Sequence, residues 1–376
     1  MPHRHNRRVL EAALVAEPDD RAAHAAYADL LIEAGDSRGE FIQAQFRLED
    51  SGLGPDERAA LRRREQYLLA EYRREWLCDL APYFLDAEEP CSFTFRRGWL
   101  DTLIIPTLTV NFARVLREAP QTRLLRRLIN IDSESEFAGE DYAPGDDVPN
   151  DDAFPSLHVL RGAPYLTNVR SLQLGDRLAF EADAHVGHGT GDALVELLGS
   201  MPRIEEVVTH AYSLNAQSLF GYPFADLRVL EVSRGFTYDL AALEENRSLG
   251  NLRRLVLQPA GIREETHQAL ALPGLERLFR STHFPALKEL AVRADNQGDA
   301  ICLILAASKM IRRLEWLDLS GNAITDAGAA VLARNRDLRH LPKLVLHRNR
   351  LTTAGIECLR AVNRNVDFGS QRGPAK

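Results

Sequence analysis

The sequence predicts an α/β chain: a repeat solenoid with parallel strands on its concave side and helices on its convex side, preceded by a small all-α domain. Two observations carry that prediction. A segment near the C-terminus repeats itself at a constant offset of 27 residues, and the apolar spacing is helical up to about residue 88 and strand-like after about residue 90. Length and composition agree. The 376 residues are too many for one compact core, while 45% hydrophobic and 27% charged residues place the chain outside the disordered range.

The first 50 residues read as three short helices. Val9, Leu10, Ala13 and Leu14 form one apolar stripe, and His24, Tyr27, Leu30, Leu31 and Ala34 form the next. Pro18-Asp19-Asp20 suits a helix start and Gly35 a helix stop. A third helix from about Gly39 carries Phe41, Ala44 and Leu48 on one face. After the break at Gly52 to Pro55, a longer helix aligns Leu61, Leu68, Tyr72, Trp76 and Leu80, with Arg and Glu on its other faces.

CSFTFRRGWLDTLIIP and RLLRRLINI then read as strands of a capping region within residues 89–168. The segment at 132–152 holds nine acidic residues and no basic one, and reads as an inserted loop. Residues 169–370 read as the repeats, and 371–376 as a tail. LEWLDLSGNAITDAGAAVLA from Leu314 overlies LPKLVLHRNRLTTAGIECLR from Leu341, matching Leu317 to Leu344, Leu319 to Leu346, Asn322 to Asn349, Ile324 to Leu351, Gly328 to Gly355 and Leu332 to Leu359. Alternating leucines make a strand with one buried face, and the Asn bonds backbone groups where the chain turns away. The following Thr caps a helix, at about Asp326 to Arg334 and about Thr353 to Ala361. Weaker copies begin at Val169, Leu227, Leu252 and Leu287, with a degenerate one at Ile204. The start-to-start spacings of 35, 23, 25, 35, 27 and 27 describe an irregular array. NVDFG, Asn365 to Gly369, is the expected last strand.

Two stretches resemble known families. Leu10 to Glu49 is similar to the repeat-companion domain of bacterial proteins, through Pro18, Asp19, Asp20, Tyr27, Ala28, Asp29, Leu30, Gly35, Asp36, Arg38, Gly39, Glu40, Phe41, Ile42 and Gln45, with Leu30 where that pattern usually has Trp. Leu317 to Gly328 resembles the L-D-L-S-x-N-x-I-T-D-x-G signature of ribonuclease-inhibitor-like leucine-rich repeats. The resemblance implies a leucine-rich-repeat solenoid behind a companion domain at 1–88 and a binding role. It implies no catalytic residues.

Apparent catalytic motifs have structural explanations. Gly35-Asp36-Ser37-Arg38-Gly39 fits a nucleophile elbow, but a helix precedes it, and Ser37 with Glu40 reads as a capping box. Asp183, His185, His188 and Asp192 read as a solvated inter-repeat loop with Thr190 or Asp192 as a helix cap, a metal site being the alternative. The acidic segment lacks the residue order of a calcium loop. Cys78, Cys91, Cys302 and Cys358 are too scattered for a zinc site or disulfide scaffold and read as reduced thiols. Arg96-Arg97 and Arg126-Arg127 lack the interleaved aromatics of single-strand nucleic-acid binders.

Function is therefore expected on the strands, where the x positions of L-x-x-L-x-L point away from the buried leucines. The candidate partner-binding residues are Arg170, Gln173, Arg228, Glu231, Arg254, Glu289, Trp316, Asp318 and Lys343. Trp316 stands out as the one large aromatic among them. The expectation is a non-enzymatic scaffold or adaptor with a protein partner, in bacterial signalling or defence, without cofactor, metal or small-molecule substrate. The alternatives are a GTPase-activating or other catalytic helper, and nucleic-acid binding through the basic C-terminal repeats. From Ala307 onward the chain carries 13 basic and 6 acidic residues within a net charge of −8. The start lacks the apolar run and cleavage site of a signal peptide and no stretch suits a membrane span, so a cytoplasmic location without membrane attachment is expected.

Overall fold

A computed structural model describes residues 2–133, 155–175, 192–210, 214–233, 238, 240–259, 270–294 and 297–372. The described residues form two compact units. The first comprises the chain as far as residue 133 with 155–173 and 196–203, and the second begins at residue 174 and holds everything from residue 204 onward.

The first unit opens with four helices, α1 (Pro2–Ala16), α2 (Arg21–Glu33), α3 (Ser37–Leu48) and α4 (Pro55–Leu77). Asp20 caps α2 by accepting from Ala22 N and Ala23 N, and Gly35, at φ +73°, provides the left-handed turn that ends it. Asp36, rather than Ser37, caps α3: its carboxylate accepts from Arg38 N, while Glu40 pairs with Arg64 instead of reaching back to the cap. Gly39 lets α2 and α3 touch, since a Cβ there would lie 2.6 Å from the Ala28 carbonyl.

An antiparallel hairpin follows, β1 (Ser92–Arg96) and β2 (Trp99–Leu108), and β2 pairs in parallel with β3 (Arg127–Ser133). The hairpin turn is Arg97-Gly98, with φ of +50° and +78°, a two-residue turn in which both residues are left-handed. The motif on α3 holds this turn. Arg38 Nε donates to Gly98 O at 2.8 Å with its guanidinium over the Trp99 ring, and the Gln45 side chain accepts from Gly98 N and donates to Phe95 O. Tyr27, Leu31 and Ile42 share a core with Trp99 and Leu124, and Phe41, Leu68 and Trp76 pack with Phe95. Residue 88, where the sequence changes texture, is thus no seam in the packing. The unit also holds α5 (Val110–Glu118) and α6 (Pro155–Val159), and the division between units falls within β4 (Ser171–Leu174) and α7 (Ala193–Leu198).

The second unit alternates strand and helix. Its strands are β5 (Glu206–His210), β6 (Val229–Ser233), β7 (Arg254–Gln258), β8 (Glu289–Val292), β9 (Trp316–Asp318), β10 (Lys343–Val345) and β11 (Val366–Asp367). They lie in chain order, every neighbouring pair parallel. Between them run α8 (Ala216–Gly221), α9 (Leu240–Glu245), α10 (Leu272–Arg280), α11 (Gly298–Ala307), α12 (Asp326–Leu332) and α13 (Thr353–Val362). Leu290, Leu317 and Leu344 stack in register, each fully buried. Burying a leucine contributes about 2 kcal/mol, but only once the next strand covers it.

Buried asparagines fasten consecutive units. Asn349 accepts from Asn322 N and Ile324 N and donates to Leu319 O, as Asn322 accepts from Ala294 N and donates to Val292 O. The helix starts are fastened too. Thr352 caps α13 and donates to Asp326, whose carboxylate also accepts from Thr352 N, and Thr325 bonds Asp299 in the same way. A Cβ at Gly328 or Gly355 would land on the Asp299 or Asp326 carboxylate, which explains glycine at both positions.

Candidate functional site

On the strands of the second unit the buried leucines point one way, and the intervening side chains form rows on the other face. One row runs Val229, Arg254, Glu289, Trp316, Lys343, each directly opposite the next across β6 to β10. Arg254 organises it. Its guanidinium lies 3.0 Å from Glu289, 3.6 Å from Glu231, and 5.2 Å from the centroid of the Trp316 ring. Trp316 is half-buried, with a cation over its ring. Lys343 is exposed at the end of the row.

A second row lies at the strand starts. Arg228, Arg253, Lys288 and Glu315 are joined through their backbones, each N–H donating to the carbonyl of the residue before it in the row. Arg228 pairs with Asp226 and Glu205, and Lys288 pairs with Glu315 at 3.2 Å. Arg253 is exposed, without an ion pair among the described residues. The surface therefore carries cations and carboxylates side by side.

The row on the far side of Trp316 does not belong to that surface. Val256, Ala291, Asp318 and Val345 are all buried, Asp318 to 2% exposure. Asp318 was expected to face a partner, but Arg293 holds its carboxylate at 2.6 Å and the same carboxylate accepts from Ser320 N. Arg293 also donates to Gln258. This Arg293–Gln258 bridge lies at or just past the ends of β8 and β7, where the L-x-x-L-x-L pattern gives no signal.

Arg170 and Gln173 fall in the first unit. Arg170 lies 3.4 Å from Asp19. Within the second unit the structure thus groups Arg228, Glu231, Arg254, Glu289, Trp316 and Lys343 on one sheet face and buries Asp318.

A second asparagine series escaped the sequence reading. Asn246 donates to Phe220 O and Tyr222 O, and Asn335 and Asn363 do the same for the helix exits before them, Asn363 reaching Leu338 O and Leu341 O. Gln371 is a further case. Its side chain accepts from Leu351 N and donates to Leu346 O, the groups that correspond to those Asn349 serves at Ile324 and Leu319.

The remaining candidates that fall among the described residues have structural surroundings. Ser37 is the first residue of a helix that follows another helix. All four cysteines are free, and burial pushes Cys91 and Cys302 up to about 12, so both stay protonated at neutral pH. Asp183, His185, His188 and Thr190 lie outside the described residues, as does nearly all of the acidic segment at 132–152. Asp192 is described, and accepts from Asn215 at 2.7 Å. Among the described residues no group of three or more potential ligands could hold a metal ion, and no helix is long and apolar enough to cross a membrane.

No protein-family model matches the chain, and a search of curated proteins finds no match. Among solved structures, a protein from Bacteroides fragilis is similar over 56% of this chain and 68% of its own, at 18% identity and a TM-score of 0.40. TLR13, in its ssRNA13 complex, is similar over 72% of this chain and 45% of its own, at 15% identity and a TM-score of 0.31.

Proposed function

We propose that the chain is a non-enzymatic interaction module whose second unit is a leucine-rich-repeat array, and that it binds a partner protein on the strand face around Trp316 and Arg254. The observation that carries this reading is the row Arg254–Glu289–Trp316–Lys343. Tryptophan and arginine are among the residue types that most often dominate interface energy. Here it sits on rigid strands rather than on a loop.

Charge favours a protein partner over nucleic acid. Arg228, Arg254 and Lys288 are each matched by a nearby carboxylate, which leaves little excess to attract a phosphate backbone. The helical region is read as a companion domain and the location as cytoplasmic, with signalling or defence as the context.

Affinity capture from the native host tests the reading. The unaltered chain should retain a defined protein at moderate salt, and Trp316→Ala should reduce its recovery at least about tenfold. Leu303→Asp, on the helical side at 61% exposure, should leave it unchanged. Equal loss with both variants, or equal recovery with both, would remove the strand face from the explanation.

A further inference from the structure

The turns that lead from helix to strand carry a charged edge that the proposed function does not use. Before β9, β10 and β11 the chain leaves its helix at Ser308, Asn335 and Asn363, and each of these side chains donates to a carbonyl at the preceding exit. Ser308 reaches Phe279 O at 2.7 Å, Asn335 reaches Ala306 O at 3.2 Å, and Asn363 reaches Leu338 O at 2.7 Å. The exits are thereby stacked in chain order. The residue after each anchor is a cation: Lys309, Arg336 and Arg364.

Two of the exits continue as single 3₁₀ turns, Met310–Arg313 and Arg336–His340. Side chains three apart eclipse in such a turn, so Arg339 falls on the side of Arg336, and Arg312 on the side of Lys309. Met310, Ile311 and Leu338 fill the core, which leaves the charged positions outward. Lys309, Arg312, Arg336, Arg339 and Arg364 are all exposed, and none makes an ion pair among the described residues. Arg339 Nε lies 3.0 Å from a ring nitrogen of His340. Arg313 is different: it is half-buried and donates to Ser281 O at 3.1 Å, a folding contact.

Other exposed arginines have an acid beside them, Arg64 with Glu40, Arg74 with Asp86 and Arg277 with Glu244. The chain has acids to spare, 54 against 46 basic residues. On these turns they are nearly absent. Asp337 is half-buried and makes no ion pair among the described residues, and Glu315, at the following strand, is taken by Lys288. The strand face matches its cations with carboxylates, whereas this edge leaves them in excess.

We infer that this edge binds a nucleic-acid duplex through its phosphates, without reading sequence. Four of the five cations are arginines, whose planar fork fits a phosphate. They follow one another from exit to exit, as an extended polyanion requires. The turns hold no phenylalanine, tyrosine or tryptophan on which single-stranded bases could stack. An acidic protein fits less well, because the apolar side chains of the turns are buried and leave no apolar centre for an interface.

Fluorescence anisotropy of the full chain with a labelled duplex of about 20 base pairs tests this, beside labelled oligothymidylate and a labelled polyglutamate peptide. The duplex should bind whatever its sequence, and its affinity should fall steeply as salt rises. Arg336→Gln combined with Arg339→Gln should weaken binding by about tenfold and reduce the slope of log affinity against log salt by about two. Arg64→Gln combined with Arg74→Gln removes the same charge from acid-matched sites, and should change the affinity by less than about twofold. If the first pair lowers the unfolding midpoint, Lys309→Gln with Arg312→Gln on the neighbouring turn carries the comparison, with the same expected loss. Absence of duplex binding, equal loss with the acid-matched pair, or tighter binding of oligothymidylate or polyglutamate would each overturn the inference. The strand-face variant Trp316→Ala should not alter this titration, so failure of either surface leaves the other standing.

Discussion

Asn349 serves three buried backbone groups with one side chain, so its removal leaves Asn322 N, Ile324 N and Leu319 O unpaired. Asn349→Ala should destabilise the chain by roughly 3 kcal/mol, read as a lower urea midpoint at unchanged slope. Gln371→Ala, at a part-buried site, should cost about 1 kcal/mol in the same measurement. The first of these residues was legible in the sequence and the second was not. Asn322 and Asn349 repeat at the array's own 27-residue offset, while Gln371 follows Asn349 by 22 and replaces the shorter amide with a longer one. Asp318 misled the reading because alternation assigns a face but says nothing of a neighbour such as Arg293 folding over it. His24 provides a pH test. Burial depresses its pKa, the adjacent Arg97, Arg126 and Arg96 add to the effect, and its hydrogen bond to Pro18 O only opposes it. The unfolded ring takes up a proton near pH 6.5 and the folded one at lower pH, so stability should be complete above about 6.5 and fall as pH drops below it. Asp19, Glu11 and Glu49 are lowered instead, and their contributions disappear only as pH falls through and below about 4. Urea midpoints between pH 7 and 5 should therefore decline for the unaltered chain and stay level for His24→Gln.

At the level of elements, α3 is the joint between the helices and the hairpin. Gly39 brings it onto α2, Arg38 and Gln45 reach the turn at Gly98, and Phe41 enters the core with Trp76. Gly39→Ala should push α2 and α3 apart at a cost of about 2 kcal/mol, measured by chemical denaturation. The helices themselves could be read from periodicity, but this joint could not. Gln45 and Arg38 meet partners 50 and 60 residues further along the chain, and no local pattern encodes such a contact. The motif that resembles the companion domain is thus largely occupied with structure.

Across the second unit, stability is treated as a sum of nearest-neighbour contacts, because among the described residues each strand pairs with the ones before and after it in the chain. Hydrogen exchange should be slowest in β6 to β8 and fastest toward β11, a two-residue strand paired among the described residues with β10. The unit's architecture was legible because the repeat is a local pattern copied many times. Its binding surface was legible only in part, since exposure on the strand face depends on which long side chains lie across it.

The amide of Gln371 also says how this array could be lengthened. A new 27-residue repeat joined after Asn363, with an asparagine replacing that glutamine in the register of Asn349, would serve the same groups, Leu351 N and Leu346 O, that Gln371 now bonds. At the last described strand one longer side chain thus closes the pair of backbone groups that a further asparagine turn would otherwise serve.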